Sequence, residues 1–246
     1  MGNSTLAKGV DIEHLESACR RSIQALPAEN GTLAGQTAMR EYFLQRAPVA
    51  PQQVVVRLTK DDINTRGTRA EVSVSYLKYN SWRGLAADRL FRLDDLRDTG
   101  YAYLRKLCRP PPATVPPAAL ARFTGQYTGF ESNSLDRLDQ DFTFDSAAFS
   151  QLESLAREYG YGVAICLMPV TDVYLAFRNH KYPRLTCDSI SARICALCQE
   201  RGFAFRDFPL AAPARYELFE DNRHLNTAGR EWFTPRMAET LVAPDP

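Results

Sequence analysis

The stretch Tyr161-Gly-Val-Ala-Ile-Cys-Leu-Met-Pro-Val170 decides the fold. It is a short apolar run with no polar residue at alternate positions, as in a strand buried on both faces. The residues before it change period. Phe149, Leu152, Ala156 and Tyr159 recur at three- and four-residue steps, which predicts a helix from about Asp145 with Gly160 as its C-cap. Downstream the alternation repeats. Ser189 to Arg201 reads as a helix closed by Gly202, Phe203-Ala-Phe-Arg-Asp-Phe-Pro209 as a strand, and Thr227 as the start of a last helix. Helix and strand taken in turn predict a parallel sheet with helices on both faces.

The first part of the chain carries the same signals. Val10 to Ala25 predicts a helix, with Asp11 as N-cap and Ile12, Leu15, Cys19 and Ile23 on one face. Ser22-Ile-Gln-Ala-Leu26 is a short strand candidate, followed by a turn at Asn30-Gly31. A helix from Thr37 to Gln45 ends before Pro48 and Pro51. Gln53-Val-Val-Val-Arg-Leu-Thr59 is the clearest strand of this half. Residues 65–140 break the rhythm. Val72-Ser-Val-Ser-Tyr76 alternates, Arg83 to Leu107 reads as helical, and Cys108-Arg-Pro-Pro-Pro-Ala-Thr-Val-Pro-Pro117 is a stiff extended connection. The expectation is one α/β domain over residues 1–246 with a loop-rich insertion at 65–140. Its architecture is expected to be a three-layer αβα sandwich, flavodoxin-like, with a parallel sheet of about five strands.

Bulk properties remove several classes. The chain has 246 residues, 45% hydrophobic and 24% charged, which argues against disorder. With 30 basic and 29 acidic residues, no electrostatic footprint for nucleic acid follows. No apolar run approaches the ~18 residues of a membrane span. The opening Met-Gly-Asn-Ser-Thr-Leu-Ala-Lys-Gly lacks the apolar segment of a signal peptide and fits the short pattern for N-myristoylation. Six cysteines are present, at 19, 108, 166, 187, 195 and 198. Only Cys195-Ala-Leu-Cys198 is closely spaced, with no second pair to complete a zinc site. Buried thiols are expected, a redox pair being the sharper alternative.

In parallel sheets chemistry gathers outside the carboxyl ends of the strands. Asp221-Asn-Arg-His-Leu-Asn226 stands just before the last helix. Asp221 and His224 are three residues apart, so a carboxylate can reach imidazole Nδ1, fix the tautomer and leave Nε2 as a general base. The plainer alternative is a polar helix start, with Asn226 or Thr227 as N-cap and His224 at the surface. A base needs a nucleophile. Ser4, in Gly2-Asn-Ser-Thr5, could expose its hydroxyl on a small-residue turn and offer its N–H to an oxyanion. Alone, such a stretch is generic turn composition.

Taken together, Gly2-Asn-Ser4 before a helix and Asp221-Asn-Arg-His-Leu-Asn-Thr-Ala-Gly229 at the other end resemble the first and last blocks of the SGNH/GDSL hydrolase superfamily. The resemblance implies a Ser4, Asp221, His224 triad performing acyl transfer without metal or cofactor. It implies oxyanion donors at Ser4, at Gly31 (with Gly35 as second choice) and at an asparagine after the third strand. That last position departs from the family: Thr59-Lys-Asp-Asp-Ile-Asn64 places acids where the asparagine is expected, unless Asn64 takes the role. An ionised aspartate cannot donate to an oxyanion.

The stretches 1–60 and 145–241 further resemble SGNH-like proteins of cell-envelope acylation, in lipoteichoic-acid D-alanylation and exopolysaccharide O-acetylation. They imply a carbohydrate or small-molecule acyl ester as substrate, an association with membrane-bound acylation machinery, and an envelope location. A catalytically inactive scaffold binding envelope polysaccharide is the alternative. In this fold the nucleophile follows the first strand, yet three residues precede Ser4, so the first strand is expected to be cut short. Substrate contacts are expected from Asp62 and Asp172, at strand ends, and from Trp82, which with Tyr76 and Tyr79 could stack on a sugar. Asp172 could equally cap a helix, and Asp207 stands in a similar position after its own strand.

Overall fold

The computed structural model describes residues 9–25, 33–45, 49–60, 62–63, 143–208, 216–221 and 223–242. Three strands, β1 (Gln53–Leu58), β2 (Gly162–Leu167) and β3 (Ala204–Asp207), form one parallel open sheet in the order β1-β2-β3. In register, Gln53 stands opposite Gly162, Leu58 opposite Leu167, and Leu167 opposite Asp207. The carboxyl ends of all three strands therefore align along one edge. Parallel strands need crossovers, and helices supply them. The helices are α1 (Ile12–Cys19), α2 (Leu33–Leu44), α3 (Ala147–Tyr159), α4 (Asp172–Lys181), α5 (Cys187–Arg201) and α6 (Thr227–Val242), with a 3-10 turn at Tyr216–Leu218.

β2 is apolar and buried from Val163 to Leu167, and β1 is largely so, because both of their faces are covered. Val54, Val56 and Leu58 of β1 and Val163, Ile165 and Leu167 of β2 enter one cluster with Phe149 and Leu152 of α3 and Ile190 and Ile194 of α5. Phe149, Leu152, Ile165, Ile190 and Ile194 are fully buried there. Each such side chain contributes roughly 1.5–3 kcal/mol relative to exposure. Val55, of the opposite parity in β1, belongs to a second cluster with Leu15 of α1, Met168, Leu225, and Phe233 and Met237 of α6. Period-two alternation sends neighbouring side chains to the two faces.

Helix boundaries follow local chemistry. Asp11 caps α1, its Oδ1 accepting from the His14 N–H at 3.0 Å. The helix stops at Cys19, earlier than the apolar pattern predicts. Arg20 turns left-handed at φ 51°, and Glu16 Oε1 takes the Ile23 N–H at 2.6 Å. The described part of the first strand candidate, Ser22–Ala25, forms no strand, since that side-chain bond bends the backbone back toward α1. Gly160 and Gly202 end α3 and α5 at φ 71° and 68°, as their positions predict. α4 is a helix the periodicity did not reveal, started by Thr171, whose hydroxyl accepts from the Tyr174 N–H. All of the expected insertion at 65–140 lies outside the described residues.

Candidate functional site

Residues 216–221 and 223–226, just ahead of α6, form a closed loop. Phe219 and Leu225 form an antiparallel bridge, the Glu220 N–H donates to the His224 carbonyl at 2.8 Å, and the Asn226 N–H donates to the Leu218 carbonyl at 3.0 Å. Asn226 is the N-cap of α6, its Oδ1 accepting from the Gly229 N–H at 2.9 Å. Its amide also donates to the carbonyls of Glu217 and Phe219. Gly229 is required by contact, not by dihedral. A Cβ there would stand 2.0 Å from the Leu218 carbonyl oxygen. The 3-10 turn thus rests directly on the first turn of α6, and this fixes the loop between them.

Inside that loop Asp221 is fully engaged. Its Oδ1 accepts from the N–H groups of Arg223 and His224, both at 2.8 Å, and its Oδ2 meets His224 Nδ1 at 2.7 Å. Burial raises the Asp221 pKa, but the hydrogen bond to His224 and the two backbone donors outweigh it and hold the carboxyl at about 2. Asp221 is therefore an anion at any ordinary pH. With Nδ1 engaged by this carboxylate, proton chemistry at the imidazole falls to Nε2. The His224 side chain is 14% exposed, not a surface residue beside a polar helix start.

Hydrophobic anchors place the dyad at the carboxyl edge of the sheet. Leu225 shares a cluster with Met168, which directly follows β2, and with Phe208, which directly follows β3. The front of the chain arrives at the same place. Gly9 lies so that an added Cβ would stand 3.2 Å from Met168 Cε and 3.8 Å from Leu225 Cδ1. Two residues later the Asp11 N–H donates to Thr234 Oγ1 of α6 at 3.1 Å.

Other polar groups line the same edge. Asp172 Oδ1 accepts from the Val173 N–H at 2.8 Å and from the Tyr216 hydroxyl at 2.5 Å. It therefore ties the 3-10 turn to the start of α4, and Thr171 does the capping. Asp62 Oδ2 accepts from the Thr59 N–H at 2.6 Å, closing the turn after β1. Lys60 Nζ lies 3.9 Å from Asp207 Oδ2, an ion pair reaching across the end of β2. Gly35 is in the first turn of α2. Ser4, Gly31, Asn64 and Trp82 lie outside the described residues.

Arg57, Lys60 and Tyr216 at this edge were not singled out by the sequence analysis. For Arg57 the signal was present: one arginine inside Val54-Val-Val-Arg-Leu58, where burial on both faces leaves a charge nowhere to go. Lys60 and Tyr216 carry no such local signal, since their neighbours are distant in sequence. Among the described residues no group of three His, Cys, Asp or Glu could hold a metal ion, and no helix is long and apolar enough to cross a membrane. Cys166 and Cys198 are buried, which pushes their thiols up to about 11 and about 12, away from thiolate chemistry. Comparison with protein-family models and with curated proteins yields no match to the chain.

Proposed function

We propose that this chain is a serine-dependent acyl-ester hydrolase or O-acyltransferase of the SGNH type. Its fold is read as a three-layer αβα sandwich, flavodoxin-like, with a sheet of about five strands. The carrying observation is the 2.7 Å contact of Asp221 with His224 Nδ1, at the strand edge that the front of the chain also reaches. Gly9 packs against Leu225, and Ser4 precedes Gly9 by five residues, a tether of at most about 18 Å. In the proposed mechanism His224 Nε2 takes the proton from Ser4 as its oxygen attacks the ester carbonyl. Asp221 stabilises the imidazolium that forms. Backbone N–H groups of Ser4 and Gly31, with Asn64, hold the oxyanion, each donor being worth roughly 3 kcal/mol. His224 then returns the proton to the leaving alcohol. Water or a sugar hydroxyl releases the acyl group from Ser4. An acylated carbohydrate or envelope polymer is the proposed substrate, with Asp62, Asp172 and Trp82 as its contacts and membrane-bound acylation machinery as the partner.

A fluorophosphonate that esterifies activated serines tests the triad. The parent chain should label, Ser4→Ala should not, and His224→Ala should label at least about 10³-fold more slowly. Equal labelling of the parent and Ser4→Ala chains would discard it. One observation favours a non-catalytic scaffold that binds envelope polysaccharide. Asp62, near the position where a donor is expected, accepts a hydrogen bond through its carboxylate. Glycan binding without labelling would select that second function.

A further inference from the structure

Between Val56 and Leu58, both fully buried, β1 carries a guanidinium on a residue that is only 1% exposed. Among the described residues, everything that holds it is neutral. Arg57 Nε donates to Met168 Sδ at 3.1 Å, Nη2 donates to the same sulfur, and the Phe233 ring lies 5.4 Å from Cζ. Nη1 has no hydrogen-bond partner among the described residues. Burial pulls its pKa down to about 9, and the one described neighbour that opposes this is the buried sulfur of Cys166. A buried charge without a counter-ion costs several kcal/mol, and an apolar side chain of similar volume is often neutral or better for stability. A cation–π contact and a thioether acceptor offset only part of that. Stability therefore does not account for an arginine here.

A second unpartnered group stands beside it. Thr59 is the next residue of the same strand parity, about 7 Å further along. It is 1% exposed, and its hydroxyl has no partner among the described residues. The ceiling is Gly9, where a Cβ would sit 3.2 Å from Arg57 Nη2. The same point is 3.8 Å from Leu225, the residue after His224. Two buried donors with no acceptor among the described residues thus stand two positions apart where β1 ends, and Arg57 lies close to the loop that carries Asp221 and His224.

We propose that Arg57 and Thr59 form a binding site for a small oxyanion, a carboxylate or a phosphate group, at the carboxyl end of β1. The Met168 sulfur takes Nε and Nη2 and so fixes the guanidinium plane. Nη1 and the Thr59 hydroxyl are the donors presented to the anion, and charge-assisted bonds of this kind are roughly twice as strong as neutral ones. Under the acyl-transfer function, on which this step rests, the anion is part of the ester. The site then selects carboxylated or phosphorylated esters over neutral ones.

Thermal unfolding of the full chain tests the site without requiring turnover. Sodium phosphate and sodium succinate are each titrated against sodium chloride at matched ionic strength. The midpoint should rise with phosphate or with succinate, and which of them acts identifies the group recognised. Arg57→Met should abolish the rise while melting, without anion, at or above the parent temperature. Thr59→Val should weaken the apparent affinity by about fivefold or more. No rise in the parent chain, or an equal rise in Arg57→Met, overturns the site. Should Arg57→Met not fold, Thr59→Val decides alone, and an unchanged rise there overturns it. Nitrophenyl acetate and the mono-nitrophenyl ester of succinic acid then separate the two proposals. Anion-dependent stabilisation without ester turnover keeps the site and removes the acyl-transfer function. Turnover of both esters with no anion effect removes the site alone.

Discussion

His224 has its tautomer chosen by a residue three places earlier. Asp221 supplies one oxygen to the ring and the other to two backbone N–H groups, so the same carboxylate shapes the loop and orients the imidazole. That double duty makes the pair visible in stability as well as in chemistry. The Asp221 pKa falls from 3.8 to about 2 on folding. A carboxyl depressed in the folded state stabilises fully above its unfolded value, and the contribution is lost as pH falls through the folded one. At 28% side-chain exposure the effect is partly screened by solvent, leaving about 1–2 kcal/mol. Urea unfolding of Asp221→Asn should show that deficit at pH 7, shrinking toward zero as pH approaches 2. A gap of constant size across this range would mean that the loop is held by packing instead. The spacing of Asp221 and His224 was legible in sequence, because a contact across three residues of one turn is local. Arg57 was legible as an anomaly, a lone charge inside an apolar strand, but the partners that hold it, Met168 and Phe233, are distant in sequence.

At the scale of elements, the closed loop exists because one helix turn and one 3-10 turn touch backbone to backbone. Gly229 is the residue that allows this. In an exposed helix, alanine in place of glycine stabilises by roughly 1 kcal/mol. Here the added Cβ would lie 2.0 Å from a carbonyl oxygen and 2.9 Å from Leu225 Cδ2, so either the 3-10 turn or α6 must move. Overpacking of this kind costs typically 1–3 kcal/mol or more, which reverses the sign. Gly229→Ala should lower the melting midpoint and displace His224, read as loss of the 2.7 Å Nδ1 hydrogen bond in imidazole NMR and of fluorophosphonate labelling. A variant that melts at or above the parent with its imidazole signal intact would show that the turn has room to shift. The glycine caps at 160 and 202 were readable beforehand, because a helix that ends on glycine after an apolar stripe announces itself. α4 was not. Its apolar residues Val173 to Phe177 are contiguous instead of spaced at helical steps, and the buried Arg178 follows where the apolar stripe by which a helix is recognised would continue.

At the scale of the molecule, the sheet brings together what the chain separates. β1 and β2 are adjacent although more than a hundred residues lie between them. The alternation around residues 145–207 was enough to predict a parallel sheet, because β2, the central strand, is buried on both faces. The strand candidate at Ser22–Ala25 was misleading, since it has strand composition yet its Ile23 N–H is taken by Glu16. The union of the two ends is harder still to read from sequence. It rests on α1 packing on α6 and on one hydrogen bond between residues 223 apart, from the Asp11 N–H to Thr234 Oγ1. Thr234 is 1% exposed, and its hydroxyl also donates to the Arg230 carbonyl at 2.8 Å. Thr234→Val keeps the volume and removes the acceptor, leaving the Asp11 N–H unsatisfied at a cost of about 1–3 kcal/mol. The loss should be local. Hydrogen exchange should quicken across Ile12–Cys19, while the amides of β1 and β2 keep their protection. Fluorophosphonate labelling should slow, because the segment bearing Ser4 is anchored through α1. Uniform loss of protection over the sheet would instead make the clasp part of the global core. Unchanged labelling with a loosened α1 would mean that the N-terminal segment is not positioned by this helix, and the proposed triad would lose its geometric support.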